Sequence, residues 1–119
     1  MTRSLNKVMI IGHLGRDPEM RFTSSGRPVA AFSVATTHGW SEEGQHQEET
    51  EWFHVVTWGG LAELCKNRLH KGSQVYVEGK LQTRHWEGPE GERHFRTEIV
   101  AQELIFLDDG DGKDNREGY

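Results

Sequence analysis

Four tryptophans, Trp40, Trp52, Trp58 and Trp86, are interleaved with Lys7, Lys80 and Arg84 in a pattern that suits one kind of chemistry. Indole presents a flat π-face on which an unpaired nucleobase stacks, for roughly 1–3 kcal/mol per base, while nearby cations neutralise the phosphates. Two or three such tryptophans suffice for tight binding that does not read sequence. Sugars also stack on tryptophan, so a carbohydrate-binding module is an alternative, but it has no use for the interleaved Lys and Arg. Core or interface packing could absorb one or two of these rings.

Other chemistries find less support. His13, His38, His46, His54, His70, His85 and His94 form no close His/Cys pair at ligand spacing, and Cys65 is the single cysteine. A metal site is therefore not expected, nor is any cofactor. Gly12-His13-Leu14-Gly15 lacks the lysine and spacing of a phosphate loop. No nucleophile motif is present. His54 or His85 could move protons, as any surface histidine could, so nothing favours an enzyme.

The tryptophans must be positioned by strands. Along Glu51-Trp52-Phe53-His54-Val55-Val56-Thr57-Trp58, the two-residue period puts Trp52, His54, Val56 and Trp58 on one side and Phe53, Val55 and Thr57 on the other. The second side reads as core. The first rarely would, because buried indole and imidazole each need a hydrogen-bond partner.

Around this strand the chain reads in order. Asn6 to Gly12 is a first strand with Val8 and Ile10 on one face and Met9 and Ile11 on the other. Both faces need cover, from a helix or from a second copy of the chain. Gly15-Arg16-Asp17-Pro18 is a turn, Met20 and Phe22 mark a short extended piece, and Ser24-Ser25-Gly26 turns again. Pro28 to Thr37 is the second long strand, with Ala30, Phe32 and Val34 inward and Val29, Ala31, Ser33 and Ala35, mostly small, outward. His38 to Thr50, polar and acidic, reads as a long loop with Trp40 at its base. After the third strand, Leu61, Leu64, Cys65 and Leu69 form the stripe of a short helix, with Gly72 as its C′ residue and Lys71 beside its negative end. Cys65 on that stripe reads as a buried small hydrophobe.

Ser73 to Trp86 is the fourth strand, with Val75, Val77, Gly79 and Leu81 one way and Tyr76, Glu78, Lys80, Gln82, Arg84 and Trp86 the other; Gly79 marks a bend or bulge. A hairpin loop at Glu87–Glu92 leads to a fifth strand, with Phe95, Thr97, Ile99 and Ala101 inward and Arg96 and Glu98 outward. The alternation breaks before Leu104. Five strands with one short α-helix between strands 3 and 4 is the layout of an all-β OB-fold barrel, a fold that binds oligonucleotides or oligosaccharides.

Composition is consistent with this. The 119 residues suit one domain over 1–107 and an acidic, disordered tail over 108–119. The start lacks the apolar segment of a signal peptide, no apolar run is long enough to span a membrane, and the lone cysteine fits a reducing cytosol. The net charge of −5 is concentrated: residues 41–51 hold five Glu and no Lys or Arg, and the tail holds five acids against two bases. The body is neutral to basic, so a polyanionic partner remains open.

Asn6-Lys7-Val8, Gly15-Arg16-Asp17-Pro18-Glu19-Met20-Arg21, Thr50-Glu51-Trp52, Gly72-Ser73-Gln74-Val75-Tyr76-Val77-Glu78-Gly79 and Thr83-Arg84-His85-Trp86 resemble the bacterial single-stranded DNA-binding protein family, from about Arg3 to Leu107. The resemblance implies an OB-fold that assembles as a homotetramer, a dimer of dimers, and wraps single-stranded DNA in replication, recombination and repair. It also implies a cytoplasmic, nucleoid-associated protein. The family's stacking aromatics fall on Trp40, Trp52, Trp58 and Trp86, so the outer face of the third strand and Tyr76 to Trp86 of the fourth form a two-strand platform over which Trp40 arches from the loop. Trp58 is a broader ring than the phenylalanine common there. Basic contacts fall on Arg3, Lys7, Lys71 and Arg84, and the outward positions add His54, Tyr76 and Lys80. The subunit interface falls on Lys7, Met9, Ile11 and Phe53, the last replacing a polar residue, often histidine. The tail around Asp108-Asp109-Gly110-Asp111 lacks the acidic Pro-Phe tip that recruits replication and repair proteins. Either the sequence is cut short at Tyr119 or partners are recruited differently. A primosome accessory protein of the same fold, with protein as its main ligand, is a further alternative.

Overall fold

A computed structural model describes residues 2–107. Among these, six strands and one helix follow the order β1 (Val8–Leu14), β2 (Glu19–Phe22), β3 (Pro28–Glu42), β4 (Gln45–Trp58), α1 (Gly60–Arg68), β5 (Gln74–Glu87) and β6 (Arg93–Phe106). The sheet runs β1-β5-β6-β4-β3-β2, and β1 also meets β3 at His13↔Ala35 and Leu14↔Val34. That second pairing closes five strands into a barrel and leaves the short β2 along the edge of β3. This is the expected OB-fold, with α1 between the third and fourth barrel strands. The 108–119 tail lies outside the described residues.

The alternation expected along β3, β4, β5 and β6 selects the core where these strands lie in the barrel. Ala30, Phe32, Val34, Val55, Val75, Val77 and Ile99 are buried, and Thr57 joins them by donating its hydroxyl hydrogen to the Ala30 carbonyl at 3.2 Å. The helix packs on β2, β3 and β4, and adds Ala62, Cys65 and Leu69 to the core. Two details of the helix differ from expectation. Leu64 is exposed, and Ala62 takes the buried position beside Cys65. Gly72 is not the helix C′ residue: the chain is already extended at Leu69. Gly72 instead sits at φ +91° in a turn closed by Ser73 N–H donating to the His70 carbonyl.

Cys65 is buried as expected, and burial pushes its thiol up to about 11 against a weaker opposing hydrogen bond with Thr57. The reactive thiolate is thus scarce at neutral pH. The native protein is expected to resist an aromatic disulfide reagent at pH 8 and to react at once in denaturant; equal rates in both would contradict the burial. Because the folded-state value is raised, the associated stability is complete below the unfolded value and is lost as pH rises towards 11.

Two ribbons extend past the barrel, and both correct the sequence reading. Residues His38 to Thr50 are not a loop. β3 and β4 pair without interruption from Val29↔Trp58 to Glu42↔Gln45, and Glu43 and Gly44 turn the chain at φ 54° and 80°. Two consecutive positive φ values are what a two-residue hairpin turn of matching twist requires. This arm buries neither face, so it carries no apolar alternation to read. The β5–β6 ribbon behaves likewise. Phe95 and Leu81 have inward parity, but they are 71% and 46% exposed because no core covers them at that height.

Gly79 does mark a bulge. Pairing shifts from Glu78↔Glu103 to Gly79↔Ala101, leaving Gln102 unmatched, which accounts for the break in alternation before Leu104.

Candidate nucleic-acid interface

The outer faces of β2, β3, β4, β5 and β6 share one groove. Its floor is Ala31, Val56, Val100 and the nearly buried Glu98, and its rims carry Arg21, Trp58, Gln82, Arg84 and Arg96. The floor is low because β3 places the small Ala31 and Ser33 outward beyond Val29, as the sequence already indicated. A second hollow continues it past the shared Glu19, Ala31 and Arg96 to Arg16, Asp17, Ser33 and His54. Trp58 holds the guanidinium of Arg27 at 4.8 Å from its ring centroid.

Trp52 lies two residues beyond His54 on the same face of β4 and is 56% exposed. Its ring rests on the turn after β1: a Cβ at Gly15 would stand 2.7 Å from Trp52 Cζ3. Glycine here lets the indole lie against backbone. At the other end, Trp86 projects from the outward face of β5. It stacks on His94 across the ribbon, with centroids 5.5 Å apart and planes 20° from parallel. Arg84 and Arg96 approach the Trp86 centroid at 4.8 and 5.6 Å. His94 also lies 3.1 Å from Glu92, whose carboxyl is held below its ordinary range by its own backbone N–H first and by His94 second.

The structure thus brings Trp52, His54, Trp58, Arg84 and Trp86 to one surface. Lys80 borders it, opposite Val100 in the ladder. Lys71 stands near its end, because its backbone N–H donates to Asp17 Oδ1 at 2.8 Å and pins the two turns together.

Other expected site residues lie elsewhere. Trp40 does not arch over the platform. It sits within β3 of the β3–β4 arm, on the opposite face of the ribbon from Trp52, stacked on His38 at 5.7 Å. Its arm carries the five acids of 41–51. Tyr76 and Lys7 occupy a separate strip. Tyr76 Oη donates to Glu78 Oε1 at 2.6 Å, and Lys7 Nζ lies 3.0 Å from Glu78 Oε2. Those contacts, Tyr76 before Lys7, depress the Glu78 carboxyl, and the same hydrogen bond raises Tyr76. Arg3 is exposed in the segment before β1. Phe53 is half-buried against the core.

Arg16, Arg21, Arg27 and Arg96 were not singled out from sequence. Arg96 had a usable signal: it has outward parity, and a tight hairpin fixes it opposite Arg84. The other three depend on how the short β2 and its flanking turns fold against β3, which strand parity does not reveal.

Among the described residues, no three His, Cys, Asp or Glu side chains gather in a way that could hold a metal ion, and no helix is long and apolar enough to cross a membrane.

Comparison with known proteins gives a consistent result. The chain is 50% identical over 109 residues to single-stranded DNA-binding protein 1 of Chlorobaculum tepidum, covering 90% of this chain and 67% of that protein. It is 47% identical over 114 residues to single-stranded DNA-binding protein 1 of Xylella fastidiosa, covering 94% and 82%. A solved complex of the Plasmodium falciparum SSB with single-stranded DNA superposes with a TM-score of 0.80 at 35% identity, covering 91% of this chain and 99% of that one. The model of the single-strand binding protein family matches residues 5–107. With that match spanning the whole barrel, the chain belongs to the single-strand binding protein family.

Proposed function

We propose that this chain binds single-stranded DNA without reading its sequence and protects it during replication, recombination and repair, as a cytoplasmic protein associated with the nucleoid. The reading rests above all on Trp58 standing beside Arg21, Arg84 and Arg96 over a floor of Ala31, Val56 and Val100. A base can lie flat on such a floor against the indole, while the arginines reach the phosphates on either side. Trp52 and Trp86 extend the stack towards both ends. No group in this arrangement is poised to make or break a bond, which favours a binding protein over an enzyme.

Self-association accompanies this reading, with a homotetramer built as a dimer of dimers. From Val8 to Gly12, β1 pairs with β5 on one edge and, among the described residues, has no partner strand on the other. Met9 and Ile11 are 61% and 53% exposed, and Ile11, Tyr76 and Ile105 line up across β1, β5 and β6. An open edge beside an apolar strip invites a second copy. The helix packs elsewhere, so it does not cover this face. Phe53 and Lys7 would flank such contacts. Ile11→Lys is expected to shift the native mass from tetramer to dimer or monomer; an unchanged tetramer would remove this face from the interface. Replication and repair proteins are further expected partners.

The function is tested by following tryptophan fluorescence while adding oligo(dT), duplex DNA or an oligosaccharide. Strong quenching is expected from oligo(dT) alone, with log K falling by roughly 0.7 per phosphate neutralised for each unit of log[salt]. No response to oligo(dT) would overturn the proposal, and a response to the oligosaccharide would replace it.

A further inference from the structure

Glu98 is a nearly buried carboxylate inside the groove, among cations that would face phosphates. Its side chain is 9% exposed, whereas those of Arg84 and Arg96 are 47% and 42% exposed. Glu98 Oε2 accepts from Arg84 Nε at 3.3 Å and lies 3.9 Å from Arg96 Nη1. The two arginines are directly opposite each other in the β5–β6 ladder. Like charges at such a position repel, and a carboxylate is tolerated out of water only when it is paired. Each side therefore solves the other's difficulty.

The geometry also has a direction. Glu98 lies beneath, solvent lies above, and the Trp86 ring stands beside both guanidinium groups. Arg84 spends its Nε on Glu98 and keeps its two terminal nitrogens for another acceptor. A strand whose base stacks at Trp86 brings its phosphate to the open side of the same two cations. We propose that Glu98 is a positioning residue, the resting counter-ion of the Arg84–Arg96 pair, holding them where a DNA phosphate is to bind and cancelling one of their two charges.

This deepens the proposed DNA-binding reading and rests on it. The test is a set of oligo(dT) titrations of the full chain at several salt concentrations, with thermal unfolding of each variant. Glu98→Gln keeps the shape and removes the charge. It is expected to bind about fivefold tighter, the equivalent of one exposed ion pair. Its plot of log K against log[salt] should steepen by about 0.7, one further phosphate, and its Tm should fall. Glu19→Gln removes an equal charge from the same groove without touching the pair, and should steepen the slope less and leave Tm in place. The charge-balanced Glu98→Gln/Arg96→Gln variant guards against a folding defect and should return to the wild-type slope. A wild-type slope in Glu98→Gln, an equal change in Glu19→Gln, or a slope in the double variant as steep as in Glu98→Gln would each overturn the inference. Failure of the wild-type chain itself to bind oligo(dT) would instead bring down the DNA-binding reading.

Discussion

Trp58→Ala and Trp86→Ala are each expected to weaken binding of oligo(dT) by about fivefold to a hundredfold. The range follows from roughly 1–3 kcal/mol per stacked base. Both rings stand on the groove side of their strands, and neither is needed by the core, so thermal unfolding should move little. The two losses differ in kind. Removing Trp58 opens the rim between Arg27 and the small floor. Removing Trp86 also takes away the surface against which Arg84 and Arg96 are ordered. Salt dependence separates stacking from charge. The alanine variants of tryptophan should keep the wild-type slope, whereas Arg84→Ala or Arg96→Ala should flatten it by about 0.7 each. Anisotropy of a labelled oligonucleotide measures both quantities. A tryptophan variant that binds as tightly as wild type would show that bases do not stack there.

Gly79→Val is expected to cost about 3 kcal/mol, the upper end for forcing atoms into a packed site. That corresponds to a fall in Tm on the order of 10–20 °C for a domain of this size. A Cβ at Gly79 would stand 2.1 Å from the Val100 carbonyl oxygen and 3.0 Å from the Ala101 Cα, both backbone atoms that cannot swing aside. Gly79 lies opposite the bulge in β6, where Gln102 is the extra residue and the β6 backbone comes close. Before it, Tyr76 and Glu78 face the apolar strip; after it, Gln82, Arg84 and Trp86 face the groove. The glycine thus admits the close approach of β6 at the point where its register against β5 shifts. Calorimetric unfolding checks the expectation, and a Tm within a few degrees of wild type would contradict it.

How far the sequence disclosed this structure depended on what each residue had to bury. Along β4, Val55 and Thr57 must be covered, so parity alone placed Trp52 and Trp58 on the outer face. The same logic gave the inward rows of β3 and of β5 as far as Gly79, and a glycine inside that strand marked the bulge. It failed where strands leave the barrel. Residues 38–50 form a regular ribbon, but a ribbon with two wet faces has no hydrophobic period, and its Glu43-Gly44 turn is a weak hairpin signal. Phe95 kept its inward parity and still met solvent. Trp40 was grouped with the other tryptophans by residue type, although an unbroken register puts it on the reverse face of its ribbon from Trp52. The arginines of the groove were missed for a different reason. Arg16, Arg21 and Arg27 reach it through turns and a four-residue strand, and those are placed by tertiary contact rather than by periodicity.

The central claim is that single-stranded DNA lies in the groove between β2–β3–β4 and the β5–β6 ribbon. It is tested most directly by photo-crosslinking a bromodeoxyuridine oligonucleotide to the full chain and mapping the modified peptides. Adducts are predicted at Trp52, Trp58 or Trp86. Adducts confined to the Met9–Ile11–Tyr76 strip or to the Phe95 face of the β5–β6 ribbon would contradict the account.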